Sequence, residues 1–158
     1  MLAKRVSLGF MVPINKGVWG KVDNKGFSTA HFAAKFGEIE SLNLLSIFNP
    51  EMLAAPNKYG VTPAHLAAAN GHVDVLMLFK SIDKSMLEAV SLIGWNLGHF
   101  AAQNGHVNVI KFLNEAHIDL DKKDMLGETP MLIAHQLKHY NCVRELMYKP
   151  SASNCNIL

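Results

Sequence analysis

The sequence is short of cysteine, of charge and of long apolar runs, and each shortage removes a class of protein. Two cysteines, Cys142 and Cys155, occur among 158 residues, too few for a disulfide framework, so a reducing, cytoplasmic setting is the natural one. No apolar run approaches the roughly 20 residues that a membrane-crossing helix needs. Lys4 and Arg5 precede an apolar stretch, but Gly9 and Pro13 interrupt it and no small-residue cleavage site follows, so no cleaved leader is expected. Charged residues make up 18% of the chain and the net charge is +2. The basic residues are scattered, without the clustered Lys and Arg that mark nucleic-acid binders.

Motifs for chemistry are lacking too. The chain contains neither a Gly-x-x-x-x-Gly-Lys-Ser/Thr phosphate loop nor a Gly-x-Ser-x-Gly nucleophile turn. Its acidic residues lie mainly at expected turns and solvent faces, and no nucleophile is matched with a base, so catalysis is not expected. Eight histidines are present, of which His135 and His139 stand four apart and would share one face of a continuous helix as two metal ligands. Zinc sites require three or four ligands, no third is near, and a helix break is expected at Lys138. Neither a metal, a cofactor nor a small-molecule substrate is expected.

What the sequence does contain is a period. His31, His65 and His99 lie 34 residues apart, and Gly26, Gly60, Gly94 and Gly37, Gly71, Gly105 keep the same step. The text around them repeats: Gly26-Phe-Ser-Thr-Ala-His-Phe-Ala-Ala-Lys-Phe-Gly37, then Gly60-Val-Thr-Pro-Ala-His-Leu-Ala-Ala-Ala-Asn-Gly71, then Gly94-Trp-Asn-Leu-Gly-His-Phe-Ala-Ala-Gln-Asn-Gly105. A fourth copy opens at Gly127-Glu-Thr-Pro-Met-Leu-Ile-Ala-His. In the second copy Thr62 is a good N-cap, Pro63 suits the first helical position, and Gly71 suits a left-handed helix end.

This pattern resembles the ankyrin repeat, a turn followed by Thr-Pro-Leu-His-x-Ala and two helices. The resemblance implies an all-α ankyrin-repeat solenoid. First helices are expected at 29–36, 63–70, 97–104 and 130–137, and second helices at 39–47, 73–81, 107–115 and 140–148. The expected organisation is a capping segment at 1–17, a repeat domain at 18–148 with repeats at 18–51, 52–85, 86–118 and 119–148, and a flexible tail at 149–158. Departures include Thr29 for Pro, Leu97-Gly98 for Pro-Leu, Leu132 for His and Lys138 for Gly. Terminal repeats are often atypical because they cap the stack.

The resemblance also implies a non-catalytic module that binds a protein partner through turn tips and the exposed positions of the first helices. Carried over by position, the contact set is Lys25, Phe27, Phe36, Lys58, Tyr59, Val61, Asn70, Leu92, Ile93, Trp95, Gln103, Leu126 and Glu128. Loops are ordinarily polar, yet here stacking would align Phe27, Val61 and Trp95 in one row and Tyr59, Ile93 and Leu126 in the next. A contiguous apolar patch with aromatics is the mark of a binding site. Packing of the tips on one another, or cover by the N-terminal segment or the tail, is the bland alternative.

The final four residues, Cys155-Asn156-Ile157-Leu158, fit the Cys-a-a-X form, with a Leu that favours geranylgeranylation. Lipid on Cys155 would take such a module to a membrane, although no polybasic run or second cysteine supplies the further anchor. The two features together resemble ankyrin proteins that intracellular bacteria deliver into host cells, some of which borrow host prenylating enzymes, and also short eukaryotic adaptors.

Overall fold

The structure is a computed structural model that describes residues 20–148. The expected capping segment at 1–17, the tail at 149–158 and Cys155 lie outside the described residues. Helices come in pairs: α1 (Thr29–Phe36) with α2 (Ile39–Phe48), α3 (Pro63–Ala69) with α4 (Val73–Ile82), α5 (Leu97–Asn104) with α6 (Val107–Glu115), and α7 (Pro130–Gln136) with α8 (Tyr140–Met147). All eight start at the expected residue and end within one residue of the expected end. Short 3-10 turns at Pro50–Leu53 and Lys84–Glu88 follow α2 and α4. Among the described residues there is no strand beyond a single bridge between Val22 and Ser28. The architecture is an all-α solenoid.

Local chemistry sets each start. Ser28, Thr62, Asn96 and Thr129 hold extended backbone at the N-caps of α1, α3, α5 and α7. Pro63 and Pro130 then occupy a position where the missing N–H has no helical partner to lose. Asn96 replaces the hydroxyl in the third repeat, its Oδ1 accepting from the His99 N–H at 3.1 Å and its Nδ2 donating to the Asp119 carbonyl at 3.0 Å.

Packing is layered. The first helices stack in series, α1 on α3, α3 on α5 and α5 on α7, and each lies against its own second helix. Alanines make the close approach possible: Ala30, Ala33, Ala34, Ala64, Ala67, Ala68, Ala101 and Ala102 are all buried. Larger side chains from the second helices fill the other side of the core, among them Leu42, Leu45, Leu76, Phe79, Ile110 and Leu113. Gly98 interrupts this alanine pattern, at a helix-propensity cost of about 1 kcal/mol. A Cβ there would stand 2.6 Å from Leu120 Cδ2, the end of a flexible side chain, and 3.1–3.2 Å from Asn96 Oδ1 and Pro130 Cγ, so the site is tight and Leu120 would have to turn aside for an alanine.

Two sets of histidines tie neighbouring repeats. His31, His65 and His99 are buried, and each Nε2 donates to a carbonyl of the next turn: Val61 at 2.9 Å, Trp95 at 3.2 Å and Glu128 at 3.1 Å. Those carbonyls can only accept, so the proton sits on Nε2, and Nδ1 accepts the N–H of Ser28, Thr62 or Asn96. The second set runs backwards along the stack. His72, His106 and His139 donate through Nε2 to the carbonyls of Lys35, Ala69 and Gln103 at 2.9, 2.9 and 3.2 Å. Their rings lie over Gly37, Gly71 and Gly105. At Gly71, φ is +79° and a Cβ would stand 2.8 Å from His106 Nδ1, so backbone conformation and close packing both demand glycine.

His139 is therefore committed to a backbone carbonyl. His135 lies in α7 and His139 is the N-cap of α8, so the two do not share a helix. No group of three His, Cys, Asp or Glu side chains gathers in metal-ligating geometry among the described residues.

Candidate partner-binding face

The turn tips are built on one polar residue each. Asp23, Asn57, Ser91 and Asp124 stand three residues before Gly26, Gly60, Gly94 and Gly127, whose N–H groups bond back to their carbonyls at 2.9–3.0 Å. The side chains cap the same turns. Asp23 Oδ1 accepts from Lys25 and Phe27, Asn57 Oδ1 from Tyr59 and Val61, and Asp124 Oδ1 from Leu126 and Glu128, all at 2.8–3.0 Å. Ser91 Oγ makes one such bond, to Trp95 N–H at 3.2 Å. These Asx-type turns leave the intervening side chains pointing outward with no backbone donors to cover.

Consecutive tips are then bonded to each other. Lys58 N–H donates to the Lys25 carbonyl at 3.1 Å, Leu92 N–H to Tyr59 at 3.0 Å, and Met125 N–H to Ile93 at 3.1 Å. This ladder makes the four tips one continuous surface. Tyr59, Leu92, Ile93, Met125 and Leu126 are all exposed on it, Leu92 at 69% and Leu126 at 83%. Lys25 and Lys58 are exposed beside them.

The residues that follow each turn glycine behave differently. Phe27, Val61, Trp95 and Glu128 are half-buried. Phe27 packs edge-on against His31, with ring centroids 5.5 Å apart, and tilts against Phe32 at 6.1 Å. Trp95 stacks on His99 at 5.9 Å, meets Phe100 edge-on at 5.3 Å, and donates its indole N–H to Asp124 Oδ2 at 2.9 Å. Val61 and Glu128 give their carbonyls to the histidines of the preceding repeat. This row presents one edge outward and uses the other to hold the stack together.

The late first-helix positions complete the face. Phe36 is 64% exposed, with the Lys35 ammonium 5.4 Å from its ring centre. Asn70 is exposed and donates through Nδ2 to the Leu66 carbonyl at 2.8 Å. Gln103 is exposed, and its carbonyl accepts from His139. Gln136 Nε2 reaches Glu128 Oε1 at 2.9 Å.

Residue-type reasoning missed Asp124 as the anchor of Trp95, and missed Phe32 as an exposed neighbour of Phe27. The Asp, Asn or Ser three residues before each glycine was the available signal for the first.

Electrostatics separate scaffold from surface. Burial lowers the pKa of His31, His65 and His99, opposed in each case by the bond to the next turn's carbonyl, and His65 is brought down to about 4. These rings are neutral structural groups at neutral pH. Desolvation raises the Asp124 carboxyl, but bonds from Glu128 N–H, the Trp95 indole and Leu126 N–H outweigh it, and its pKa lies below the usual value. Burial raises the Cys142 thiol, which makes it a poor nucleophile.

A comparison with curated proteins finds no match. Two family models do match. The one described as ankyrin repeats (many copies) covers residues 30–79, and the one described as ankyrin repeats (3 copies) covers residues 76–157, more than half of the chain. The chain belongs to the ankyrin-repeat family.

Proposed function

We propose that this chain is a non-catalytic module that binds a partner protein through its turn tips and the concave side of its first helices. The observation that carries the reading is the exposed apolar strip of Tyr59, Leu92, Ile93 and Leu126 along a tip ladder whose own hydrogen bonds are already made. Backbone satisfied within the ladder leaves no folding reason for large apolar side chains in water. Contiguous exposure of that kind accompanies recognition surfaces. Aromatic residues at its margin, Phe36 and Trp95, are the residue types that dominate binding energies.

Affinity capture from cell lysate, followed by mass spectrometry, tests this with wild type and Leu92→Ser/Leu126→Ser side by side. The variant is expected to keep its helical circular dichroism and lose the captured partner. Equal capture by both would move the binding site elsewhere.

Lipid attachment at Cys155 is carried by the pattern at residues 155–158 alone. A mass gain in a eukaryotic prenylating extract, absent from Cys155→Ser, supports it, and no gain ends it.

A further inference from the structure

We propose that the segment received by this face is an acidic–apolar peptide, its carboxylates on Lys25 and Lys58 and its apolar side chains on Tyr59, Leu92 and Ile93. The proposal rests on the reading that the tips bind a protein. Charge is unevenly distributed along the strip. The bond between Lys58 N–H and the Lys25 carbonyl sets the first two tips side by side, so two exposed lysines are neighbours. Lys35, in the last turn of α1, adds a third cation beside Phe36. None of the three ammonium groups makes an ion pair among the described residues. Asp23 is the acid at the first tip, and its Oδ1 is taken by two backbone N–H groups.

The fourth tip carries two acids, with Lys122 and Lys123 just before them. Its acids, Asp124 and Glu128, accept from the Trp95 indole and from Gln136. The second and third tips carry Tyr59, Leu92 and Ile93 and no acid, and the fourth adds Met125 and Leu126. The strip is therefore net positive at the end of Lys25 and Lys58, where Asp23 is the one acid, and closer to neutral at the other, where Lys122 and Lys123 offset Asp124 and Glu128.

That asymmetry selects a partner. An ammonium group covered by apolar surface loses hydration and needs a carboxylate in return. A basic segment would be repelled at the same place, which is how charge gives specificity and orientation. Exposed pairs at a rim contribute little each, so the apolar side chains supply the affinity while the lysines choose among apolar ligands and set their direction.

The test is selection from a phage-displayed library of random 12-residue peptides on wild type, Lys25→Ser/Lys58→Ser and Leu92→Ser/Leu126→Ser. Wild type is expected to enrich peptides with Asp or Glu towards one end and apolar residues towards the other. Their binding should weaken with added salt and fall roughly fivefold or more on the lysine variant, as two rim pairs allow. Peptides that require Leu92 and Leu126 but show no acidic enrichment would overturn this proposal and leave the binding face standing. Peptides indifferent to Leu92 and Leu126, or none enriched at all, would overturn both. A dimer of wild type that Leu92→Ser/Leu126→Ser dissociates would seat a second copy on the face and overturn the acidic peptide.

Discussion

The second and fourth repeats carry nearly the same turn and helix cap but opposite residues behind them. Ala64, His65 and Ala68 are buried in the second repeat, and Gly71 lies beneath the His106 ring. Their counterparts in the fourth are Met131, Leu132, His135 and Lys138, all exposed. Both repeats begin with Thr-Pro, and both helices run Pro to the same length. The residues needed to start a helix are thus common to the two. The residues that differ are those a following repeat would touch. Small side chains, the bridging histidine and the space beneath the next repeat's ring are demands of the neighbour, so the fourth repeat, with no described repeat stacked upon it, is relieved of them, while the left-handed turn stays and Lys138 adopts it at φ +62°. Gly127 gives the same message at the tip, since a Cβ there would meet nothing whereas one at Gly60 would stand 2.7 Å from Leu92 N.

Three changes would break or sharpen this contrast. The largest effect is expected from acid. His65 is held neutral with a pKa of about 4 against 6.5 when unfolded. Between those values the unfolded chain binds the extra proton, so stability is complete above about pH 6.5 and falls as pH drops towards 4. The loss reaches roughly 3 kcal/mol from this ring. Urea unfolding of wild type and His65→Leu at pH 7 and pH 4.5 checks this: the loss of stability between the two pH values should shrink in the variant, and an undiminished loss would contradict it.

A smaller effect is expected from Gly71→Ala. Left-handed backbone costs an alanine about 1–2 kcal/mol, and the new Cβ must also displace the His106 ring. The melting temperature should fall by several degrees, and an unchanged value would show that the ring contact does not constrain this position. Smallest is Lys138→Gly. Lys138 holds φ at +62°, so glycine should relieve strain and raise stability by up to about 1 kcal/mol, less its own entropy cost. A loss of stability on thermal unfolding would mean that the Lys138 side chain has a stabilising contact.

The period of the sequence made the solenoid legible down to helix starts, because capping residues and glycines act within a few residues of themselves. Pairings across repeats were not legible in the same way. His31 reaches Val61 and Trp95 reaches Asp124, about 30 residues on in each case, and only the stack brings them together. That is why Phe27, Val61 and Trp95, expected in a row beside Tyr59, Ile93 and Leu126, turn out half-buried while the second row is exposed. Position within the repeat located both rows at the tips. It could not tell that an aromatic ring after the glycine folds back onto the histidine, or that the turn two residues earlier projects outward.

The division between a scaffold prescribed by neighbours and a face left free is most directly tested by measuring Kd for the captured partner and Tm together, on wild type, Gly71→Ala and Leu92→Ser/Leu126→Ser. The expected result is a double dissociation at a temperature well below every melting transition. Gly71→Ala lowers Tm and leaves Kd within a factor of two or so, whereas the tip variant holds Tm, as exposed substitutions ordinarily do within about 0.5 kcal/mol, and weakens Kd at least tenfold, on the order of 1.4 kcal/mol. A tip variant that binds as wild type does would contradict the account.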